Sequence, residues 1–342
     1  MGHLAVRFPF VLLLVWGGHC FLPIQSSNGA YDSIDSLGSR WDAAPRVING
    51  NERSLDGGLR FSVSGGSYEA FRDEFSWSSE PDVAQFQQAV DDAFNAWSSV
   101  DPNSGLATDL RFQSDLTTEI QTGSGFGTLN NNGAEIDLIA SNSGTAGFFG
   151  LTAVSRFATP VTLTSGVSNY SPSAAIQGVD LHLNSHPDTE YTLDIFRRLL
   201  THEIGHALGL GDVDLGGQFL DDNYDPSNPL ETLTNSWASF VDPLDPASSA
   251  NLQFFDVDPA MFQTTGVDIL MESNQLGVSP ANPLSERVPL RNSDYGSRQF
   301  LYPFVSPVPE PNGLSLLLFV VLLAMAKNRV RRRDISLELP SF

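Results

Sequence analysis

Two histidines four positions apart, His202 and His206, with a glutamate directly after the first, carry the clearest chemistry in this 342-residue chain. A helix turns about 100° per residue, so positions i and i+4 lie nearly above one another and the two imidazoles can address one metal ion. Glu203 sits beside the first ligand and not on it. That places a carboxylate where it can take a proton from water at the metal. The segment continues Ala207-Leu208-Gly209-Leu210-Gly211-Asp212. A helix carrying both histidines must stop soon after His206 if the chain is to double back to the metal. Gly209 tolerates the left-handed conformation that ends helices, and Gly211 loosens the turn. Asp212, six residues after His206, is the next residue at ligand spacing; Asp214 competes for the same place because Gly211 can shift the turn. Two imidazole Nε2 atoms and a carboxylate oxygen make a Zn²⁺ site with a fourth position for water, and the chemistry is metal-assisted hydrolysis.

The elements that must position these groups follow from periodicity. The metal-site helix is expected over 192–210, with Thr192 and Asp194 as candidate caps and Ile195, Phe196, Leu199 and Leu200 entering the core. A second helix is expected over 81–100, where Val83, Phe86, Val90, Phe94 and Trp97 mark one face. Alternating runs at 59–63, 110–112, 134–140 and 179–184 read as strands. In the last, Val179, Leu181 and Leu183 face one way, Asp180 and His182 the other. His182 and His186 are read as exposed side chains in preference to ligands of a structural zinc.

Written out, residues 202–212 form His-Glu-x-x-His-x-x-Gly-x-x-Asp. Downstream, Val267-Asp268-Ile269-Leu270-Met271-Glu272-Ser273 places one of only four methionines in a turn-like setting. The chain resembles the matrixin-like metzincins, whose signature has His in place of Asp212 and whose Met-turn lies beneath the metal. The aspartate at the third ligand position is similar to that of the snapalysins, a bacterial branch. Ala93–Val100 looks like the end of the first matrixin helix, and Ser293–Pro303 like the final one. The resemblance implies an α+β zincin/metzincin fold: a twisted, mixed five-stranded sheet, the active-site helix, a second long helix and a short C-terminal helix. It further implies zinc held by His202, His206 and Asp212, Glu203 as general base, Met271 beneath the metal, a protein or peptide substrate, and the strand at 179–184, just before the active-site helix, as an exposed edge rail for an extended peptide. Matrixin latency through a propeptide cysteine is excluded, because the only cysteine, Cys20, lies in a segment expected to be removed.

Hydrophobic residues make up 41% of the chain, enough for one large domain, and the net charge of −22 argues against nucleic acid as a partner. The acidity is read as a solvated surface suited to extracellular conditions or high salt. Residues 1–30, with Arg7 before a short apolar run, read as a signal peptide, and 31–58 as a flexible leader. The catalytic domain is expected over 59–303, with an insertion at 215–265 whose aromatic residues pack it onto the domain. Within the insertion, Asp221–Pro229 is rich in oxygen ligands of the kind Ca²⁺ prefers; a solvated acidic loop is preferred to a calcium site. A linker with Pro309-Glu310-Pro311 spans 304–312, an apolar membrane segment 313–326, and a basic cytoplasmic tail 327–342. As a helix the apolar run covers about 21 Å, short of the roughly 30 Å hydrocarbon core unless its flanks snorkel. This tail resembles the PEP-CTERM sorting signal, which implies an exosortase-type partner and a membrane association that is at least transient. The expected protein is an exported, cell-surface or extracellular zinc endopeptidase. Two alternatives stand beside it: a zinc-stabilised surface or matrix structural protein, and a zinc amidase or esterase acting on a small envelope substrate.

Overall fold

The computed structural model describes residues 39–212 except for 102–104, 106, 121–124, 131–132, 158–159 and 172. Beyond 212 it describes 219–221, 225–232, 242–246, 253–255, 258, 261, 270–271, 290 and 292–304. The expected signal peptide, the sorting tail and Asp214 lie outside these residues. Among the described residues, no helix is long and apolar enough to cross a membrane.

The chain is mixed α/β, built on a mostly parallel sheet. The strands are β1 (Ser39–Trp41), β2 (Val47–Ile48), β3 (Asn51–Glu52), β4 (Leu59–Val63), β5 (Ser76–Trp77), β6 (Phe112–Ser114), β7 (Ile136–Ser141), β8 (Gly150–Phe157), β9 (Ala174–Asn184), β10 (Glu190–Tyr191), β11 (Phe219–Asp221) and β12 (Gln253–Phe255). The helices are α1 (Tyr68–Arg72), α2 (Val83–Ser98), α3 (Leu193–Ala207), α4 (Pro229–Thr232) and α5 (Asn292–Leu301). In the main sheet β6, β4, β7 and β9 lie side by side and parallel, and β8 pairs antiparallel with β9. β8 runs along one edge of β9 from Ala175 to Leu183, so β7 and β1 share the other edge.

Among the described residues the main sheet has six strands where five are expected, and one of them, β1, comes from the expected leader. β1 pairs with Ala174–Ile176 of β9, and Arg40 and Trp41 are both buried. Trp41 Nε1 donates to Ala207 O at the end of α3 (2.9 Å). The Arg40 guanidinium donates to Phe300 O and Leu301 O at the end of α5 (3.0 and 2.9 Å). A three-residue strand shows no usable alternation, so its sequence looks like loop; its place comes from these long-range bonds.

Helices α2 and α3 pack on one face of the sheet. Asp82 accepts from Gln85 N, and Gln85 reaches back to the Asp82 N–H, a capping box that starts α2. Phe94 of α2 stacks on Phe61 of β4 with centroids 4.0 Å apart, and Trp97 Nε1 donates to Thr201 O of α3 at 2.8 Å. Around the start of α3, Phe71, Phe75, Trp77, Phe86, Tyr191 and Phe196 form one aromatic cluster. Burying each such ring is worth about 2–3 kcal/mol. In the expected insertion, β11 and β12 pair antiparallel, and the β11 backbone lies beside α5.

The other sheet face is polar yet covered. Asp180 and His182 are each 1% exposed, which overturns the expected exposed rail: β9 is an interior strand. The segment 125–134 supplies their partners, with Asn130 N–H donating to Asp180 (2.5 Å) and Thr128 O meeting His182 Nε2 (2.9 Å). His182 Nδ1 meets Ser141 Oγ at 3.0 Å, so both ring nitrogens are engaged within the fold. Period-two polarity signals solvent only where nothing covers the polar face, and here a loop does.

Burial pushes the Asp180 carboxyl up to about 8 and that of its register neighbour Asp137 up to about 7, against the pull of the Asn130 and Ala134 N–H groups. Both folded values exceed the unfolded one, so the native state keeps protons that the unfolded chain releases. The stability they contribute is complete below about pH 4 and is lost as pH rises through 7 and 8. Asp180→Asn is therefore expected to flatten the decline in melting temperature between pH 5 and 8. An unchanged slope in calorimetry would refute the assignment.

Candidate metal centre

Helix α3 starts at its Thr192 cap, whose side chain accepts from Ile195 N at 3.2 Å; Asp194 lies in the first turn instead. Its apolar side buries Phe196, Leu199, Leu200 and Ile204, which leaves His202, Glu203 and His206 directed along the sheet side near its C-terminus, all buried. Gly205 is the point of closest packing beneath them. A Cβ there would fall 2.4 Å from Met271 Sδ and 2.8 Å from Trp97 Cζ2. Met271 thus lies against the helix one residue from His206.

The helix ends at Leu208, and Gly209 adopts φ +100°. Its N–H donates to His206 O (2.9 Å), and Leu210 N–H donates to Gly205 O (3.0 Å). This turn brings Asp212 back over the histidines. His202 Nε2 and His206 Nε2 are 3.0 Å apart, and Asp212 Oδ1 is 3.4 Å from each. Donors at 2.0–2.2 Å from a tetrahedral zinc ion stand about 3.3–3.6 Å from one another; the two edges at Asp212 match this, and the 3.0 Å edge between the histidines is a few tenths of an ångström short. Among the described residues, these three form the one group of three or more ligating side chains gathered around a common point.

The hydrogen bonds behind the ligands decide what the triangle can hold. His202 Nδ1 meets Leu270 O at 2.7 Å and His206 Nδ1 meets Leu210 O at 3.0 Å. A carbonyl only accepts, so both Nδ1 atoms carry protons and, in the neutral rings, both Nε2 atoms present lone pairs. Their 3.0 Å approach is then no hydrogen bond but two acceptors facing each other, with a carboxylate oxygen completing the set. Apart from its 3.4 Å contacts with the two imidazoles, Asp212 Oδ1 is buried without a hydrogen-bond partner among the described residues. Burial pushes the Asp212 carboxyl up, but the charge that His206 and His202 carry when protonated outweighs it and holds the group below its usual range. Three converging acceptors in a buried site call for a cation. The arrangement can hold a metal ion, and nothing in a His-His-Asp set restricts it to zinc.

The Glu203 carboxylate meets β8. Thr152 Oγ1 donates to Glu203 Oε2 at 2.6 Å and lies 3.2 Å from Glu203 O. Gly150 faces the other oxygen, where a Cβ would come within 2.4 Å of Oε1. Neither residue stands out in the sequence. The run Leu151-Thr152-Ala153-Val154 mixes polar and apolar side chains without clean alternation, and only its pairing with β9 defines it as a strand. The rim of β8 is held by Asn184, whose Nδ2 donates to Thr145 O and Gly147 O (both 2.9 Å) and whose Oδ1 accepts from Ser143 N and His186 N (both 3.2 Å). In the expected calcium stretch, the described part turns on itself: exposed Asp225 accepts from Ser227 N and Oγ.

No protein-family model matches this chain, and no curated protein matches it.

Proposed function

We propose that this chain is a zinc-dependent endopeptidase of the metzincin type, exported and displayed at or beyond the cell surface. The carrying observation is the buried convergence of His202 Nε2, His206 Nε2 and Asp212 Oδ1, with the partnerless Asp212 oxygen directed at the same point. Met271 packed at Gly205, the long helix α2, the short C-terminal helix α5 and a mixed sheet support the metzincin reading. Export and sorting rest on the sequences of 1–30 and 304–342 alone.

Zinc, when bound, would supply a Lewis acid that polarises a peptide carbonyl and makes water easier to deprotonate. The chain's own residues do the rest. The Leu270 and Leu210 carbonyls fix the tautomers of His202 and His206 and so keep both Nε2 lone pairs available. Glu203, one residue from the first ligand and buried, takes the proton of the attacking water on its carboxylate and returns it to the leaving nitrogen. An extended substrate would lie along β8 and not β9: among the described residues, β8 pairs only on its β9 side.

Metal analysis and casein cleavage by the purified full-length chain, wild type beside Glu203→Ala, test this reading. Both proteins are expected to hold one zinc, with cleavage lower by about 100- to 10,000-fold in the variant. A wild type that binds zinc and cleaves no protein would favour the structural or small-substrate alternatives.

A further inference from the structure

We infer that Gly150 and Thr152 of β8 form a seat that fixes the Glu203 carboxylate, with Thr152 as a positioning residue for the proposed general base. The inference rests on the peptidase reading for its catalytic consequence, but the seat is a property of the fold. A glutamate side chain has three rotatable bonds, so adjacency to a ligand in sequence does not by itself aim its carboxylate. Here two strand residues at i and i+2 border the carboxylate, Thr152 by a bond to one oxygen and Gly150 by the room it leaves for the other. Thr152 Oγ1 donates to Oε2 at 2.6 Å, the short distance of a charge-assisted bond. Gly150 leaves room beside Oε1, the oxygen not bonded to Thr152, where any side chain would overlap it at 2.4 Å. Glu203 is 3% and Thr152 7% exposed, so little water competes for this bond. Oε2 is then the held oxygen and Oε1 the one left to exchange a proton with water. β8 takes on a second role: the strand that would align an extended peptide also sets the base that acts on it.

The test uses the full-length chain as wild type, Thr152→Val, Thr152→Ser, Gly150→Ala and Glu203→Gln, each assayed for metal content, melting temperature and kcat and KM on one casein-derived peptide. Valine keeps the shape and removes the donor. It is expected to lower kcat about 10- to 100-fold with KM and metal content unchanged. Serine restores the hydroxyl and is expected to recover most of the rate. Gly150→Ala, whose methyl displaces Oε1, is expected to lower kcat with metal retained. Crystal structures of the metal-free wild type and Thr152→Val supply a readout independent of turnover: Glu203 should leave β8 in the variant. Equal losses in Thr152→Val and Thr152→Ser, or a Glu203 carboxylate unmoved in Thr152→Val, would overturn the seat. A wild type without peptidase activity would instead overturn the reading of the reaction, and the crystal structures would still judge the seat.

Discussion

Asp212→Asn is expected to weaken metal binding by about two to four orders of magnitude while raising the melting temperature of the metal-free protein. The two effects have one cause. In the native site, Asp212 Oδ1 and two Nε2 lone pairs converge at 3.0–3.4 Å, and the carbonyls of Leu270 and Leu210 prevent either ring from turning a proton inward. Without a cation these acceptors repel, and a buried carboxylate oxygen goes without a hydrogen bond. Asparagine removes the charge and offers an N–H to a facing Nε2, so the metal-free fold gains. The metal loses an anionic ligand. Structural zinc sites supply about 10–16 kcal/mol, so one ligand in three is worth roughly 3–5 kcal/mol, or two to four orders of magnitude in affinity. Stabilisation by ligand, about 4 kcal/mol at a thousandfold excess over Kd, goes with it. Metal analysis with calorimetry at pH 8, with and without chelator, separates this from an ordinary salt bridge. If Asp212 merely paired with an imidazolium, the asparagine variant would melt lower in chelator and nothing would depend on metal.

The sequence displays the parts of this site that obey a period and hides those that depend on a neighbour. The i, i+4 spacing of His202 and His206, the glycine at 209 and the return of Asp212 are local, and the structure brings all three ligands together. Helices α2 and α3 begin at side-chain caps, Asp82 and Thr192, and lie within the expected ranges. The strand that holds Glu203 is invisible by the same reasoning. β8 has one buried polar residue, Thr152, whose partner lies 51 positions away, and no alternation to announce it. β9 misleads for the opposite reason: its alternation is real, but its polar face meets the loop at 125–134 instead of water. The segment 39–58 looks like loop because Arg40 and Trp41 act through carbonyls more than 160 residues away. What composition cannot encode is which distant backbone group waits for a side chain.

That long-range fit makes Gly209→Ala a severely damaging single-methyl change. At φ +100° an L side chain is already strained. Gly50, at φ +89°, has nothing within 4 Å of where an alanine methyl would stand and so reports that strain alone. At Gly209 the methyl would also lie 2.0 Å from Ser39 O and 3.1 Å from Ser39 C, both backbone atoms that no rotamer change can move aside. Either β1 leaves the sheet or the turn after α3 unwinds. The first choice sacrifices the Trp41 bond to Ala207 O; the second shifts Leu210 O from His206 and Asp212 from the metal. Gly50→Ala is expected to cost about 1 kcal/mol. Gly209→Ala adds overpacking against backbone, for a total of about 3–6 kcal/mol, a large share of the roughly 5–15 kcal/mol that holds a typical domain together. Urea unfolding of the two variants beside wild type measures the difference, and metal affinity should fall in Gly209→Ala only. Equal costs at the two glycines would mean that β1 does not lie beneath the turn, and the segment from Ser39 would return to being a leader.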